Sequence, residues 1–401
     1  KKDLKMAISK ISANMIDGSL TSSLVIGSLP AVDGSALVGA GAGIDTETTS
    51  DPTVSSNPSG TGHLWVNKTS GAMFICTDAT AGDNVWVNVG VGDDNITSSF
   101  GGLGGGKSLG FTSGGAAPTQ DTIENFSFSS NTTATDHGNL AMARNAAGGC
   151  SSATDGYSVG GFVNGPAGGV GGFRENIDRF SFTSNTTATD HGDLSRATGG
   201  CNGCSSSTNG YAVGGNEGPS NIQSNIIDTF TFGSNSNATD HGDMSMAGRG
   251  RGGGHSSYTD GYVSGGETPG PPSVVRVSII DKFSFASNTT AAAHGDISVA
   301  RSYSAGQSSN THGFTSGGYT GSVTENVIDK FSFTTNITSA GHGDLTVSRS
   351  QLAGQSSTTH GYCAGGSSTN HIDKFSFASQ ANAIDHGDLA VAETTPAGHQ
   401  F

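Results

Sequence analysis

The sequence has little charge, few helix-forming residues and no long apolar run. Charged residues make up only 13% of the 401 positions, and no apolar stretch reaches the roughly 20 residues of a membrane-spanning helix. Leu, Glu, Lys and Gln are scarce after residue 107, which argues against a helical fold there. The formal net charge is -15, and no basic cluster is longer than Lys1-Lys2. Both features argue against nucleic-acid binding through phosphates and favour a soluble particle component or a secreted protein.

Cysteine is also rare, and its spacing predicts neither a disulfide framework nor a zinc site. The five cysteines are Cys76, Cys150, Cys201, Cys204 and Cys363. The pair Cys201-x-x-Cys204 lacks a second pair at the spacing of a zinc site. We interpret these two cysteines as small residues in neighbouring repeats.

Glycine, by contrast, is abundant, with 64 residues, and three short phrases each occur six times. Gly-aromatic-x-x-Gly-Gly starts at Gly110, Gly156, Gly210, Gly261, Gly313 and Gly361. Phe-Ser/Thr-Phe starts at Phe126, Phe180, Phe230, Phe283, Phe331 and Phe375. His-Gly-Asp/Asn starts at His137, His191, His241, His294, His342 and His386. A period near fifty residues that is rich in paired glycines and aromatics predicts a repeated array of small sheets.

The intervals within the repeat separate packed elements from loops. The first Phe of each phrase precedes the His by 11 residues in all six repeats, whereas the stretch from the glycine pair to that Phe varies from 9 to 19 residues. A constant interval indicates a packed element, because a slip of one residue would turn its buried side chains outward. A variable interval indicates a loop, and six equivalent loops would emerge on one face of a ring.

Each repeat is predicted to supply four short strands. They are the glycine-pair segment, the Ile-Asp-x-Phe-Ser-Phe segment, the His-Gly-Asp-Leu segment and the following Ala-Gly-Gln-Ser-Ser-like segment. Residues 396–400 align with residues 305–307, so the C-terminus is expected to supply the innermost strand of the first sheet and close the ring. Residues 101–107 compete for that place, but their glycines make a poor strand. The prediction is an all-β chain in which residues 107–401 form a six-bladed β-propeller.

The repeat resembles the kelch repeat. The shared order is the glycine pair, Asp-x-Phe and then an arginine before the next repeat, at Arg144, Arg196, Arg301 and Arg349. The kelch tryptophan is missing from every repeat, the third repeat offers Arg249 or Arg251, and Glu393 replaces the last arginine. The resemblance covers about residues 107–401. It implies a kelch-like propeller that serves as a binding platform, since the fold alone fixes no activity.

Before the repeats, the sequence predicts an anchor, a small β-module and two linkers. Leu4, Ile8, Ile11 and Met15 have the a/d spacing of a helical seam, so residues 1–26 would form a short trimer-forming coiled coil or an amphipathic anchor. Residues 27–60 are predicted to be an extended linker. Residues 61–90 are predicted to form a β-module that holds both tryptophans, and residues 91–106 a Gly-rich linker.

The β-module is similar to a short domain of tail-fibre and other virion proteins of bacteriophages, especially marine and cyanobacterial phages. The similarity rests on residues 63–71, 74–79 and 85–90, and repeats of the Ile-Asp-Lys-Phe-Ser-Phe type are also similar to those of such phage proteins. It implies a virion appendage that is attached to other virion proteins by its N-terminal region and displays the repeats outward. A homo-oligomer, such as a trimer, is expected of a fibre.

Two sets of residues are candidates for binding. The variable loops carry side chains that suit either a glycan or a contact with another subunit: Phe162, Phe173, Arg174, Glu217, Glu267, Arg276, Tyr319, Glu325 and His371. The presumed innermost strands carry one aligned position that would converge on a central channel, and bind an ion or water cluster or simply line the channel: Cys150, Cys204, His255, Gln307, Gln355 and His399. The six repeated histidines are expected to make a turn or strand-start hydrogen bond, because a ring would place them too far apart to share a metal.

No enzymatic signature is present. Acidic residues recur at turn positions, so no catalytic carboxylate pair stands out, and an all-β chain lacks the strand-to-helix turn of a Gly-x-Ser-x-Gly nucleophile. The sequence therefore predicts a non-enzymatic phage virion protein, without cofactor or metal, that attaches to a host glycan or receptor or contacts other virion proteins. Two alternatives stay open, namely a secreted glycan-cleaving enzyme and an extracellular kelch-like adhesin.

Overall fold

The computed structural model describes residues 44–69, 72–88, 108–116, 118–164, 172–218, 222–246, 248–270 and 273–400. Within these ranges the chain forms strands, turns and bends but no helix, which confirms the all-β prediction. The described residues therefore contain no helical segment that could cross a membrane. The predicted coiled coil at 1–26 and the Gly-rich linker at 91–106 lie outside the described residues. The chain divides into two units, residues 1–92 and 93–401.

The first unit contains a four-stranded sheet. Its strands, in sheet order, are β1 (Thr46–Thr48), β2 (Leu64–Asn67), β3 (Met73–Asp78) and β4 (Val85–Asn88). β1 pairs with β2 in parallel, and the other two pairs are antiparallel. The sheet thus begins upstream of the boundary expected at residue 61. The Asn84 side chain holds this upstream segment, because its Nδ2 donates to Val54 O at 2.8 Å and to Ser56 O at 3.2 Å.

The strands of the second unit follow the six repeats. From the first repeat onward they are β5 (Leu109–Gly115), β6 (Gln120–Ser127), β7 (Thr135–Asn139), β8 (Gly148–Ser151), β9 (Asp155–Val159), β10 (Phe162–Val163), β11 (Gly172–Ser181), β12 (Thr189–Gly199), β13 (Asn202–Ser205), β14 (Asn209–Val213), β15 (Asn216–Glu217), β16 (Ile222–Gln223), β17 (Ile226–Thr231) and β18 (Thr239–Asp243). They continue with β19 (Gly253–Ser256), β20 (Asp260–Ser264), β21 (Glu267–Thr268), β22 (Val275–Arg276), β23 (Ile279–Ser284), β24 (Ala292–Asp296), β25 (Ala305–Ser308), β26 (His312–Tyr319), β27 (Thr324–Ser332), β28 (Ala340–Asp344), β29 (Ala353–Ser356), β30 (His360–Ala364), β31 (Thr369–Ser376), β32 (Ile384–Glu393) and β33 (Ala397–Gln400).

Most of these strands belong to six antiparallel sheets, and each sheet takes its first strand from the end of the preceding repeat. Sheets 2 to 6 have the orders β8-β9-β11-β12, β13-β14-β17-β18, β19-β20-β23-β24, β25-β26-β27-β28 and β29-β30-β31-β32. Sheet 1 has the order β33-β5-β6-β7, with Ala397 opposite Ser113 and Gln400 opposite Gly110. A ladder of backbone hydrogen bonds therefore joins the C-terminal segment to the first repeat.

The first strands of the six sheets contact one another in a closed cycle. β8 contacts β13, and the contacts continue through β19, β25, β29 and β33 back to β8. A second cycle consists of six residues that precede these strands, each donating its backbone N–H to the C=O of its equivalent one repeat earlier. We call these residues the collar: Ala146, Gly200, Arg251, Tyr303, Gln351 and Thr395. The bond from Ala146 N to Thr395 O, at 3.0 Å, closes it. Each repeat is thus bonded to the next, and the sixth to the first.

Glycine is required where the first strands meet. A Cβ atom on any of six equivalent glycines would overlap the backbone carbonyl of the equivalent glycine one sheet earlier, and for Gly203 that carbonyl belongs to Gly149. The six are Gly149, Gly203, Gly254, Gly306, Gly354 and Gly398. Only glycine allows two backbones to approach this closely. The spacing of these glycines therefore specifies contact between sheets and not simply a turn.

The core lies between neighbouring sheets and is built from one repeated aromatic stack. The aromatic residue of each Gly-aromatic phrase packs on the second Phe of the next sheet, with ring centroids 4.3 to 4.8 Å apart. The pairs are Phe111–Phe182, Tyr157–Phe232, Tyr211–Phe285, Tyr262–Phe333, Phe314–Phe377 and Tyr362–Phe128. Tyr262 also donates its hydroxyl to Phe333 O at 2.9 Å. Burial of each such ring stabilises the fold by about 1.5 to 3 kcal/mol, so every junction between sheets has its own apolar core.

The repeated histidines also join neighbouring sheets. Each Nε2 lies 2.7 to 2.8 Å from the backbone carbonyl of the Ser or Thr between the two Phe residues of the next sheet. The pairs are His137–Ser181, His191–Thr231, His241–Ser284, His294–Ser332, His342–Ser376 and His386–Ser127. Of the two expected forms, a bond in a turn or one at a strand start, the histidines make the second, near the start of the fourth strand, and this bond crosses from one sheet to the next.

Buried ion pairs occupy five of the six junctions. An arginine at the end of one repeat pairs with the Asp of the next Asp-x-Phe, at 2.6 to 3.2 Å: Arg144–Asp178, Arg196–Asp228, Arg249–Asp281, Arg301–Asp329 and Arg349–Asp373. In the third repeat Arg249, and not Arg251, takes this position. At the sixth junction, between sheets 6 and 1, Glu393 and Glu124 stand where the other junctions have arginine and aspartate.

Candidate binding surface

The segments of variable length form hairpins between the second and third strands of their sheets. β10 pairs with β11, β15 with β16, and β21 with β22. The hairpin of the third repeat also reaches sheet 2, where β15 pairs with β12. Isolated bridges tie two of these hairpins to residues beside the collar, namely Asn145 to Phe162 and Gly250 to Glu267, and a third bridge joins Ser302 to Tyr319 of the β26–β27 hairpin. The hairpins and the collar therefore share one face, which we call the variable face.

A pocket of about 740 Å³ opens on the variable face beside the hairpin of the second repeat. Its apolar wall is Phe162 and Phe173, which are opposite each other in the β10–β11 pair with ring centroids 5.3 Å apart. The lining also includes the polar residues Asn145 and Arg251, together with Gly199. Half-buried aromatic rings beside a few fixed polar groups are typical of a site for a small polar ligand such as a sugar.

A network of ion pairs and ring contacts fixes Arg251 at the edge of this pocket. Arg251 pairs with Glu267, and the other Glu267 oxygen lies 3.8 Å from Arg276. The Arg251 guanidinium lies over the Tyr303 ring at 5.1 Å, and that of Arg276 over the Tyr319 ring at 5.2 Å. Burial raises the pKa of the Tyr303 hydroxyl. Because both guanidinium groups are stacked and paired, they present fixed donors on the surface.

The nine loop residues singled out from the sequence do not form one site. Phe162 and Phe173 line the pocket, whereas Glu267, Arg276 and Tyr319 belong to the ion-pair network. The other four residues are dispersed. Arg174 faces Thr198 across the sheet, and Glu217 forms an ion pair with Arg196 at 3.1 Å. Glu325 is opposite Gly318, and His371 lies 3.4 Å from Asp388. Glu325 and His371 lie in sheets 5 and 6, away from the pocket of sheets 2 and 3.

Sequence reasoning missed Arg251 and Tyr303 as surface residues. Both belong to the collar, and both have positive φ, 60° and 57°. Such a backbone is uncommon for residues other than glycine, and here it is held by the closed cycle of hydrogen bonds. An alignment of the repeats carries a signal for this backbone, because Gly200, two residues after Thr198, stands at the position equivalent to Arg251 and Tyr303. In the sequence, Arg251 stands only as an alternative to Arg249 for the arginine of the third repeat.

A small pocket of about 60 Å³ lies among the first strands, and three of the six aligned residues, Cys204, His255 and Gln307, line it together with neighbouring glycines and serines. All six bond backbone carbonyls of the next sheet through the side chain, as Cys150 Sγ does to Tyr211 O and Gln355 Nε2 to Phe111 O. Cys204, Gln307 and His399 do the same with Tyr262, Tyr362 and Cys150, and His255 lies 3.1 Å from Gln307 O. The side chains at this position are thus buried against the next sheet, and the channel-lining role of the six residues stays a prediction.

His255 and His399 should make the protein sensitive to acid. Burial lowers the pKa of each to about 4, and their hydrogen-bond partners are neutral. The unfolded chain binds these protons from about pH 6.5 downward, whereas the folded chain does not, so stability falls as the pH drops from about 6.5 to 4. We expect His255→Gln, which copies Gln307 and Gln355, to remove about 3 kcal/mol of this loss. Urea unfolding at several pH values measures it.

The matched control for this prediction is His371→Gln, because His371 is nearly half exposed. That variant should keep the wild-type dependence of stability on pH. An unchanged pH dependence in His255→Gln would contradict the assignment of the acid sensitivity to the buried ring.

Within the described ranges, no group of three or more His, Cys, Asp or Glu side chains is placed to hold a metal ion. The six junction histidines in particular each bond a carbonyl of a different sheet. No protein-family model matches the chain. Among curated proteins, no relative is found either.

Proposed function

We propose that residues 107–401 form a six-bladed, kelch-like β-propeller. Three observations support this architecture: six sheets of four principal strands, the closed cycle of contacts among their first strands, and the C-terminal strand that completes sheet 1. In a propeller the first strand of each blade lies nearest the axis. The ring of six glycines and the collar then surround that axis, and the variable face is one of its two faces.

We further propose that the protein is a structural component of a bacteriophage particle whose variable face binds a glycan of the host surface. The pocket of Phe162, Phe173 and Arg251 carries this proposal, because it combines aromatic rings with fixed hydrogen-bond donors on the face where the repeats differ. The N-terminal region would attach the protein to other virion proteins. The described residues offer no paired catalytic carboxylates in this pocket, so binding without turnover is the function we favour.

The substitution Phe162→Ala tests the glycan-binding function. Removing the ring should weaken binding of the full chain to purified host polysaccharide about tenfold, since an aromatic contact contributes roughly 0.5 to 1.5 kcal/mol beyond its buried area. Biolayer interferometry on immobilised polysaccharide measures the change. Val323→Ser is the matched control, because Val323 is 55% exposed on another hairpin of the same face. Equal binding by the wild type and Phe162→Ala would contradict the proposal.

A second candidate function is contact with another virion protein through the same face. The observation in its favour is that three apolar side chains on the variable segments are exposed by half or more, namely Ile222, Val275 and Val323. Exposed apolar residues that are grouped on one face often mark a protein interface. If Val323→Ser impairs incorporation into particles while Phe162→Ala does not, the face serves assembly and not attachment.

A further inference from the structure

The sixth junction has two acidic residues where every other junction has an arginine and an aspartate. Glu393 occupies the backbone position of Arg301 and Arg349, since its carbonyl accepts the N–H of the second glycine of a pair, Gly366, at 2.8 Å. Glu124 occupies the position of Asp329: its carboxylate accepts the N–H of Ala390 at 2.9 Å, as Asp329 accepts that of Ser298. The junction therefore keeps the shape of the others but lacks their positive charge.

The Glu393 carboxylate has no protein partner. Its side chain is completely buried, and neither of its oxygens accepts a hydrogen bond. Glu124 is 2% exposed. Burial, and then the neighbouring Glu124 carboxylate, raise the pKa of Glu393 to about 9. Two carboxyl groups that are buried together cannot both be ionised at low cost unless a cation lies between them.

Equivalence with the other junctions assigns a third oxygen donor to the same place. In four junctions the arginine Nη2 donates to the carbonyl two residues before a glycine pair, as Arg301 does to Thr315 O at 3.0 Å. By sequence position the equivalent carbonyl at the sixth junction is that of Thr112, where no guanidinium exists to reach it. Thr112 lies directly opposite Glu124 in the β5–β6 pair, and its buried hydroxyl also has no partner.

We propose that the junction between sheets 6 and 1 binds one divalent cation of the calcium class through the carboxylates of Glu124 and Glu393 and the oxygens of Thr112. The donors are all hard oxygens, which calcium prefers, and two carboxylates neutralise its charge. Calcium accepts irregular oxygen sites, whereas magnesium demands an octahedron and retains its waters. The ion takes the electrostatic place of the missing guanidinium, and it does so at the junction that joins the last repeat to the first.

Thermal unfolding of the full chain tests the proposal. After treatment with EDTA, addition of calcium at roughly a hundred times its Kd should raise the Tm of the wild type by about 5 °C. Isothermal titration calorimetry should give one ion per chain, and magnesium should give a smaller shift. Glu393→Gln, which keeps the shape and removes the charge, should lose the calcium-dependent shift. Glu393→Arg should lose it too, while having in EDTA a Tm near that of the calcium-bound wild type.

The matched control is Glu325→Gln, the same change in sheet 5, which should retain the full calcium shift. Two results together would overturn the proposal: a wild-type Tm that calcium leaves unchanged, and a Glu393→Gln variant that is more stable than the wild type in EDTA. They would show that a proton neutralises the pair of carboxylates. A calcium shift that Glu393→Gln retains would also overturn it, because the ion would then bind elsewhere. These readouts do not involve glycan binding, so they are independent of the proposed attachment function.

Discussion

Deletion of residues 396–401 is expected to cause the largest loss of stability of any change considered, about 5 kcal/mol or more. The deletion removes β33, and with it the backbone ladder to residues 110–113 and the buried His399 side chain. It leaves the edge of β5 unpaired and opens a cavity beside β8 and β29, which contact β33. Losses of this size are exceptional and arise when buried packing and hydrogen bonding fail together. Urea unfolding followed by circular dichroism measures the change.

A control keeps the strand and alters only its side chains. The double variant His399→Gln and Gln400→Ser copies residues 355 and 356, which hold the equivalent positions in the preceding sheet. It should unfold at a urea concentration close to that of the wild type. If the truncated chain also unfolded at the urea concentration of the wild type, β33 would contribute little to the closure of the sheets.

Asp329→Ala is expected to cost about 3 to 5 kcal/mol, the usual effect of removing one partner of a buried ion pair. Asp329 and Arg301 are both fully buried and 3.0 Å apart. The aspartate also accepts the backbone N–H and the hydroxyl of Ser298, so its loss leaves three donors with weaker partners. Most of the cost comes from the positive charge that stays behind without water or a counter-ion.

The double variant Asp329→Ala and Arg301→Met separates this explanation from a simple cavity. Removing the charge as well should restore part of the lost stability, because the buried guanidinium no longer lacks its counter-ion. The exposed pair of Lys68 and Glu47 provides the comparison, since both side chains are half exposed or more and Glu47→Ala should cost no more than about 1 kcal/mol. A cost for Asp329→Ala as small as that would contradict the role of the buried pair.

The repeated elements could be predicted because each is fixed by a local and constant pattern. The constant 11-residue interval between Phe and His predicts where the third strand of each sheet lies and where the fourth begins. The alternation in Ile-Asp-x-Phe-Ser-Phe predicts the buried face of the third strand. The pairing of residues 397–400 with residues 110–113 follows from their alignment with the first strands of other sheets. In each case one repeat could be compared with five others.

Contacts between sheets could not be predicted in the same way. The sequence shows that His191 recurs, but not that its imidazole crosses to Thr231 of the next sheet and not to its own turn. Alternation along the first strands predicts two faces, but it does not show that the side chains of the six aligned residues reach carbonyls of the next sheet. The pocket could not be predicted for a similar reason, since Phe162 and Arg251 come from different repeats and only the fold brings both residues to one lining.

The pairing of β33 with β5 also determines how the second unit would respond to mechanical force. Gly110 lies opposite Gln400, so the start of β5 and the end of β33 are at the same end of the antiparallel pair. Tension applied between these two points would load the hydrogen bonds one after another, as in a zipper, and not all together in shear. The repeats would then open at small forces when they are pulled from the start of β5 and the end of β33.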